Sequence, residues 1–366
     1  MIPPKVPAVE VQGLSKSYGS VQALNGVDVS IGEGEYFVLL GPSGGGKTTL
    51  LRVIGGFVRP SAGKVLLHGH DVSALPPDKR PTTMVFQSYA LFPHMSVARN
   101  VGYGLRIKKL ASRDIAERVD AMLKLVGLAG YGERKPHELS GGQQQRVQLA
   151  RSLVLDRDIL LLDEPLAALD ANLRRDMCFE LKRLQETIGI TFVHVTHNQE
   201  EAMTVADRIA IIADGKLVEA GTAREIYERP VKRFTADFVG ENNIFDGTLA
   251  AVDKSKATID LGFERVDVPV DGSAASEGAP ASFSVRSELV ELLPAEGALP
   301  NEIQALNGTY DEAVYLGLTI SHMVTLPNGA AVNARSISGA AENLKFERGQ
   351  PVRVGWAMTA ARLHAS

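Results

Sequence analysis

The 366-residue chain predicts an α/β domain with a largely parallel sheet, followed by an all-β domain. Three observations carry that expectation. Short apolar runs alternate with helical patterns through roughly the first 235 residues, as βαβ units require. A glycine-rich loop, Gly41 to Thr48, stands between a buried-strand pattern and a helical one. Beyond about residue 238 the texture changes to short β-rich runs separated by turn residues, a barrel-like or sandwich-like pattern. The domains are expected at 1–237 and 238–366, with a helical subdomain over about 88–155 inside the first.

In chain order, "VEVQGLSKSYGSVQALNGVDVSI" (9–31) reads as short strands with turns. "EYFVLL" (35–40) is a buried strand. "KTTLLRVIGGF" then spaces Leu50, Val53, Ile54 and Phe57 at helical period. "TTMVFQ" ends a strand on Gln87. "SRDIAERVDAMLKLVGL" is an amphipathic helix ending at Gly127. "HELSGGQQQRVQLA" (137–150) sets a serine and two glycines at a helix start. "DILLLDEP" and "TFVHVTH" are two further buried strands. In the tail, "NIFDGTLAAV", "KATIDL", "RVDVPV", "ASFSVR", "ISHMVTL" and "PVRVGW" read as strands, and "DGSAASEGAPA" (271–281) as a low-complexity loop. The chain has no second phosphate loop and no tandem repeat of the first half.

Composition narrows the function classes. Hydrophobic residues make up 45% and charged residues 22%, ordinary for a globular protein. The net charge of −4 is split: residues 1–240 hold 30 Lys+Arg against 27 Asp+Glu, and residues 241–366 hold 9 against 16. Neither part is basic enough to attract nucleic acid by its bulk field. A single cysteine, Cys178, rules out a disulfide framework and a cysteine-based zinc site. The N-terminal ten residues lack the apolar core of a signal peptide. No apolar run approaches the length of a membrane span.

The chemistry-bearing residues lie in the first part. Gly41-x-x-x-x-Gly46-Lys47-Thr48 has the glycines that let backbone N–H groups turn around phosphate oxygens at a helix start. Lys47 is expected to reach the β- and γ-phosphates, and the Thr48 hydroxyl to bind Mg²⁺. Asp163 and Glu164 follow an apolar run at a strand's carboxyl end, where open α/β sheets hold ligands. Asp163 can hold the metal through water, and Glu164 can polarise the attacking water. His197 and Gln87 end strands in the same manner. His197 suits a γ-phosphate contact, and Gln87 a contact to the water or metal. Tyr18, upstream of the loop, is either a packed strand aromatic or a surface on which a base can stack. Ser140 and the amides of Gly141 and Gly142 form a second anion grip.

Taken together, Gly41–Thr48, Gln87, "LSGGQ" (Leu139 to Gln143), "LLLDEP", "ALD" (Ala168 to Asp170) and His197 resemble, in family order, the motifs of ABC-transporter ATPases. The resemblance implies an ABC-type P-loop fold with a helical subdomain, ATP and Mg²⁺ as cofactors, and ATP hydrolysis. It implies nucleotide contacts by Gly41, Pro42, Ser43, Gly44, Gly45, Gly46, Lys47, Thr48 and Thr49. It also implies that Tyr18 stacks on adenine and that Ser140, Gly141, Gly142 and Gln143 grip the ATP of a partner subunit. Asp170 would link the two sites. The answer to having two phosphate grips is then a head-to-tail homodimer. Some positions depart from the commonest pattern: Ala167–Ala168 where a serine often precedes "ALD", Asn198 where Asp is frequent, and Gln148 where the signature helix usually has a small residue.

"FQSYALFPHMSVARNVGYGLR" and the tail segments "FVGENNIFDGTL", "FSVRSELVEL" and "YLGLTISHMVTLPNG" further resemble importer ATPases for polyamines, ferric iron and maltose-type sugars. Those carry an OB-like regulatory domain. The resemblance leans to the polyamine group. It implies two transmembrane permease subunits and a solute-binding receptor as partners, no nucleic acid, and a peripheral place on the cytoplasmic face of the inner membrane. A nucleic-acid-associated ABC ATPase is the remote alternative. Its long coiled coil does not fit between Gln87 and Ser140, 53 residues apart.

Overall fold

The computed structural model describes residues 6–87, 90–253, 255–270, 276–299, 302–339 and 346–365. It falls into two compact units, Met1–Ala223 and Arg224–Ser366. The sequence reading puts the boundary at 237/238 instead. The intervening short helices cluster with the second unit because its buried Arg286 donates to the carbonyl oxygens of Tyr227 and Val239.

The first unit contains β1 (Val9–Tyr18), β2 (Val21–Ile31), β3 (Tyr36–Leu40), α1 (Lys47–Ile54), β4 (Ala62–Leu67), β5 (His70–Asp71), β6 (Thr82–Val85), α2 (Val97–Val101), α3 (Tyr103–Ile107), α4 (Ser112–Leu125), α5 (Gly141–Leu153), β7 (Ile159–Asp163), α6 (Ala171–Ile188), β8 (Thr191–Thr196), α7 (Gln199–Val205), β9 (Arg208–Ala213) and β10 (Lys216–Thr222). Among the described residues, six strands form one sheet in the order β10-β9-β3-β8-β7-β6. β9 through β6 run parallel and β10 is antiparallel. Every residue of β3, β7 and β8 is buried, as expected for parallel strands covered on both faces.

Where the sequence suggests short strands with turns over 9–31, the chain makes two long strands instead. β1 and β2 join β4 and β5 in a separate antiparallel sheet. The punctuation read as turns is bulging: the β1–β2 register shifts between Val11 and Leu14, and Gly13 and Gly26 have φ of 54° and 64°. The two sheets enclose one core that includes Leu14, Val27, Phe37, Leu50 and Val193. α1 ends at Ile54, so Phe57 lies past it, 46% exposed and edge-on to Phe86. α2 to α5 form a helical layer with its own core of Val97, Val101, Ile115, Val119, Leu123 and Val147. α4 stops at Leu125, and Gly127 just beyond it takes φ 72°.

The second unit opens with α8 (Ala223–Glu228, whose first residue belongs to the first unit) and α9 (Arg233–Phe238). Ten strands follow among the described residues: β11 (Asn242–Val252), β12 (Lys256–Asp260), β13 (Arg265–Pro269), β14 (Pro280–Arg286), β15 (Glu291–Pro294), β16 (Ile303–Tyr315), β17 (Thr319–Thr325), β18 (Ala331–Ile337), β19 (Pro351–Ala357) and β20 (Arg362–Ala365). They form two five-stranded antiparallel sheets, β13-β12-β11-β14-β20 and β15-β19-β16-β17-β18. The core contains Phe245 stacked on Phe283 at 4.7 Å and on Trp356 at 5.4 Å. The six predicted tail strands are present. β15, β16, β18 and β20 are additional, β16 being hidden by its mixed polar sequence. Of the predicted loop 271–281, residues 271–275 lie outside the described residues, and its last two residues open β14.

Candidate functional site

The phosphate loop leaves β3 and enters α1. Its glycines are demanded by the protein's own packing. A Cβ on Gly41 would lie 2.0 Å from the Ile212 carbonyl oxygen, and one on Gly46 2.6 Å from that of Ala23. The loop therefore lies flush against β9 and β2. Lys47 opens the helix with a buried side chain. Its Nζ donates to the carbonyl oxygens of Gly41 at 2.7 Å and Pro42 at 2.8 Å. Burial lowers its pKa, and the nearby Glu164 carboxylate opposes that shift.

β7 delivers Asp163 into the interior, 4% exposed. Thr48 Oγ1 donates to Asp163 Oδ1 at 3.1 Å, and Arg52 Nη2 stands 3.5 Å from Oδ2. Burial pushes the Asp163 carboxyl up, against the Thr48 hydrogen bond and the Arg52 charge. Thr48 and Arg52 are one helical turn apart on α1, so one face of that helix holds the carboxylate from two sides.

Glu164 follows with φ 45°, uncommon for a residue bearing a side chain. Its N–H donates to the Val195 carbonyl oxygen of β8 at 3.0 Å. Its Oε2 accepts from Gln87 Nε2 at 3.2 Å, and its Oε1 lies 3.3 Å from His197 Nδ1. Gln87, Glu164 and His197 thus come from just beyond the carboxyl ends of three adjacent parallel strands, β6, β7 and β8.

A partly buried network supports His197. Asn198 caps α7 by accepting from the Glu201 N–H at 3.0 Å. Thr196 Oγ1 donates to Glu201 Oε2 at 2.7 Å. Arg174 Nε lies 3.4 Å from Glu201 Oε1, while its Nη2 donates to the Leu169 carbonyl oxygen at 2.7 Å. Arg174 therefore ties the segment before Asp170 to the base of the His197 loop. Asp170 is the N-cap of α6, accepting from the Leu173 N–H at 3.0 Å.

The "LSGGQ" residues begin α5. Ser140 is its exposed N-cap in a reciprocal capping box: Ser140 Oγ accepts from the Gln143 N–H at 3.4 Å, and Gln143 Oε1 accepts from the Ser140 N–H at 3.0 Å. Among the described residues, no hydrogen bond or ion pair joins Ser140, Gly141, Gly142, Gln143 or Asp170 to Lys47, Thr48, Gln87, Asp163, Glu164 or His197. Tyr18 ends β1, 50% exposed, with the Lys16 ammonium 4.9 Å from its ring centre.

Sequence reasoning missed Arg52, Arg174 and Glu201. Arg52 has a local signal, its i+4 spacing from Thr48. The other two act through contacts between α6 and α7, which no local pattern reports.

A strand–loop–helix phosphate grip beside a buried aspartate and a glutamate held by Gln and His defines a nucleotide-hydrolysing cassette. The comparisons agree. The ABC transporter family model matches residues 24–167 and the TOBE domain model residues 283–363. The chain is 45% identical over 353 residues to the spermidine/putrescine import ATP-binding protein PotA of Mesorhizobium japonicum, covering 95% of this chain and 94% of the relative. It is also 45% identical over 356 residues to the protein of that name from Thermobifida fusca, covering 96% and 92%. Among solved structures, it resembles an ATP-binding cassette in a dimeric post-hydrolysis state bound to ADP and Pi. That match has a TM-score of 0.53 and 33% identity, over 59% of this chain and 99% of the cassette. It also resembles cbiO1 of Clostridium perfringens, part of an ABC transporter complex, with a TM-score of 0.57 and 31% identity, over 60% of this chain and 90% of cbiO1.

The chain belongs to the ABC transporter family, among its ATP-binding import subunits. It is an ATPase with an OB-like all-β C-terminal domain, and a membrane permease is its partner. Among the described residues no helix is long and apolar enough to cross a membrane.

Proposed function

We propose that this subunit powers the uptake of polyamines of the spermidine/putrescine class. The observation that carries the reading is the near full-length identity to relatives of that name, through the β-rich tail as well as the cassette. Two copies face each other head to tail on two permease subunits at the cytoplasmic face of the inner membrane, and a solute-binding receptor delivers the cargo.

In this reading the backbone N–H groups of Gly41 and Ser43–Thr49 and the Lys47 ammonium hold the phosphates in the loop that Pro42 shapes, while Tyr18 stacks on the adenine. The Thr48 hydroxyl and Asp163 carboxylate, 3.1 Å apart, with the Gln87 side-chain amide, are the donors for Mg²⁺. They fit the ion because Mg²⁺ prefers oxygen ligands and is commonly bound by one or two carboxylates plus substrate phosphates. When bound, Mg²⁺ neutralises charge on the phosphates. Glu164 takes the proton of the attacking water. His197 and Gln87, each in contact with its carboxylate, hold Glu164 in place. Ser140 and the Gly141–Gly142 amides of the facing copy close on the γ-phosphate, and Asp170 reports between the two sites. Closure excludes water, and hydrolysis reopens the pair.

The test is transport by the purified subunit with its permease and receptor in vesicles. ATP-dependent spermidine or putrescine uptake, with receptor-stimulated hydrolysis, is expected. Stimulation by a ferric-iron or sugar receptor instead, with polyamine inert, overturns the assignment of cargo.

A further inference from the structure

Gln148 stands on the signature helix, α5, among its buried residues. It is 1% exposed, and a buried side-chain amide is costly unless hydrogen-bonded. Its Nε2 donates to the carbonyl oxygen of Phe86 at 2.9 Å. β6 ends at Val85 on the edge of its sheet, so Phe86 lies just past the ladder.

One turn further along α5, Arg151 Nη1 donates to the Ala90 carbonyl oxygen at 2.7 Å, and its guanidinium lies 5.4 Å from the Phe92 ring centre. The same face of α5 therefore grips the chain on both sides of Gln87. Gln87 in turn donates to Glu164. The N-cap of α5 is Ser140. Eight helical steps, about 12 Å at 1.5 Å per residue, separate Ser140 from Gln148. A hydrogen-bonded helix of that length moves as a rigid piece.

We propose that Gln148 is a positioning residue: it ties the backbone that carries Gln87 to the signature helix, so that the contact of Gln87 with Glu164 follows the position of the Ser140 end. The inference rests on the roles proposed above for Gln87 and Ser140. It adds a direct mechanical link within one chain, from the grip on the partner's nucleotide to the group beside its own glutamate.

The test is a double-mutant cycle on MgATP hydrolysis by the full chain in its permease complex. Gln148→Met keeps volume and removes the donor, and Gln148→Ala is the second variant should the first fold poorly. Each is expected to lower kcat roughly 3- to 10-fold, the worth of one ordinary hydrogen bond, with KM for ATP unchanged and more Mg²⁺ needed for half-maximal rate. In a Gln87→Ala background the same substitutions should have no further effect, because residues acting in series do not add. Parental kcat in both Gln148 variants overturns the proposal. So does a loss seen only in KM, or one that adds in full to Gln87→Ala. If Gln87→Ala itself hydrolyses at the parental rate, the role of Gln87 is wrong and the inference falls with it, an outcome separate from the others.

Discussion

Glu164 combines a left-handed backbone with a carboxylate held from two sides. A non-glycine residue at such a φ costs of the order of 1–3 kcal/mol and persists where its surroundings over-determine it. Glu164→Gln retains the shape and loses the basicity. Its hydrolysis should fall by about 10²-fold or more while ATP still binds, and the variant should accumulate as a closed, ATP-bound dimer on gel filtration. Near-normal turnover would remove Glu164 from the role of base. Asp163 permits a second experiment. Burial raises its pKa in the fold, so the charged form is disfavoured there, and the associated stability is lost as pH rises through the folded-state value. Asp163→Asn should therefore melt higher than the parent at pH 7.5, by about 2–4 °C for each kcal/mol recovered, and the gap should narrow as pH falls. The same variant should lose Mg²⁺-dependent hydrolysis. A lower Tm at pH 7.5 would show that the Thr48 and Arg52 contacts outweigh burial.

α6 and α7 form a support that neither provides alone. Arg174 on α6 reaches both the Leu169 carbonyl oxygen and Glu201, whose neighbours Thr196 and Asn198 flank His197. Arg174→Leu leaves a buried carboxylate without its cation, a loss expected at ~1–3 kcal/mol of stability since Arg174 is itself partly exposed. Burial already raises the Glu201 pKa, so its cost is smallest when protonated and grows as pH rises through the folded-state value. The destabilisation by Arg174→Leu, read by denaturant titration, should thus be smaller at pH 5 than at pH 8. Equal losses at both pH values would mean that Glu201 does not carry the effect. α5 contrasts with this pair, because its Ser140–Gln143 capping box closes within four residues. That helix start satisfies its first N–H groups with its own side chains and leaves Ser140 exposed.

For the assembled molecule the decisive matter is whether ATP is shared between copies. Lys47→Ala damages the phosphate loop of its own chain. If the site is shared as proposed, Ser140→Arg damages the one that the other chain's phosphate loop forms. Each homodimer then has two defective sites. In a mixed dimer both defects fall into one composite site, leaving the other whole. Mixing the two proteins, with subunit exchange verified by tags, should restore ATP-dependent closure. Hydrolysis is the weaker readout if both sites must fire together. Verified mixed dimers that close no better than either parent would count against a site built in trans.

The parallel sheet, the phosphate loop and the signature cap were legible in consecutive residues, for a common physical reason. Buried strands such as "ILLLD" need apolar side chains on both faces, a phosphate loop needs glycines at a fixed short spacing before its lysine, and a capping box needs partners three residues apart. Each of these is a local demand. The order β10-β9-β3-β8-β7-β6 is not. It is set by pairing between strands as much as 171 positions apart, such as Phe37 with Arg208. That order makes β6, β7 and β8 neighbours, and only their adjacency brings Gln87 and His197 to Glu164. The same holds for β1 and β2. Their glycines read as turns until the partner strand is present, because a bulge is defined by the register of two chains and a turn by one. Arg174 with Glu201, and Gln148 with the Phe86 carbonyl oxygen, arise likewise from side chains meeting across elements. A sequence pattern reports the face a residue occupies, whereas the packing of the whole chain selects the atom it meets.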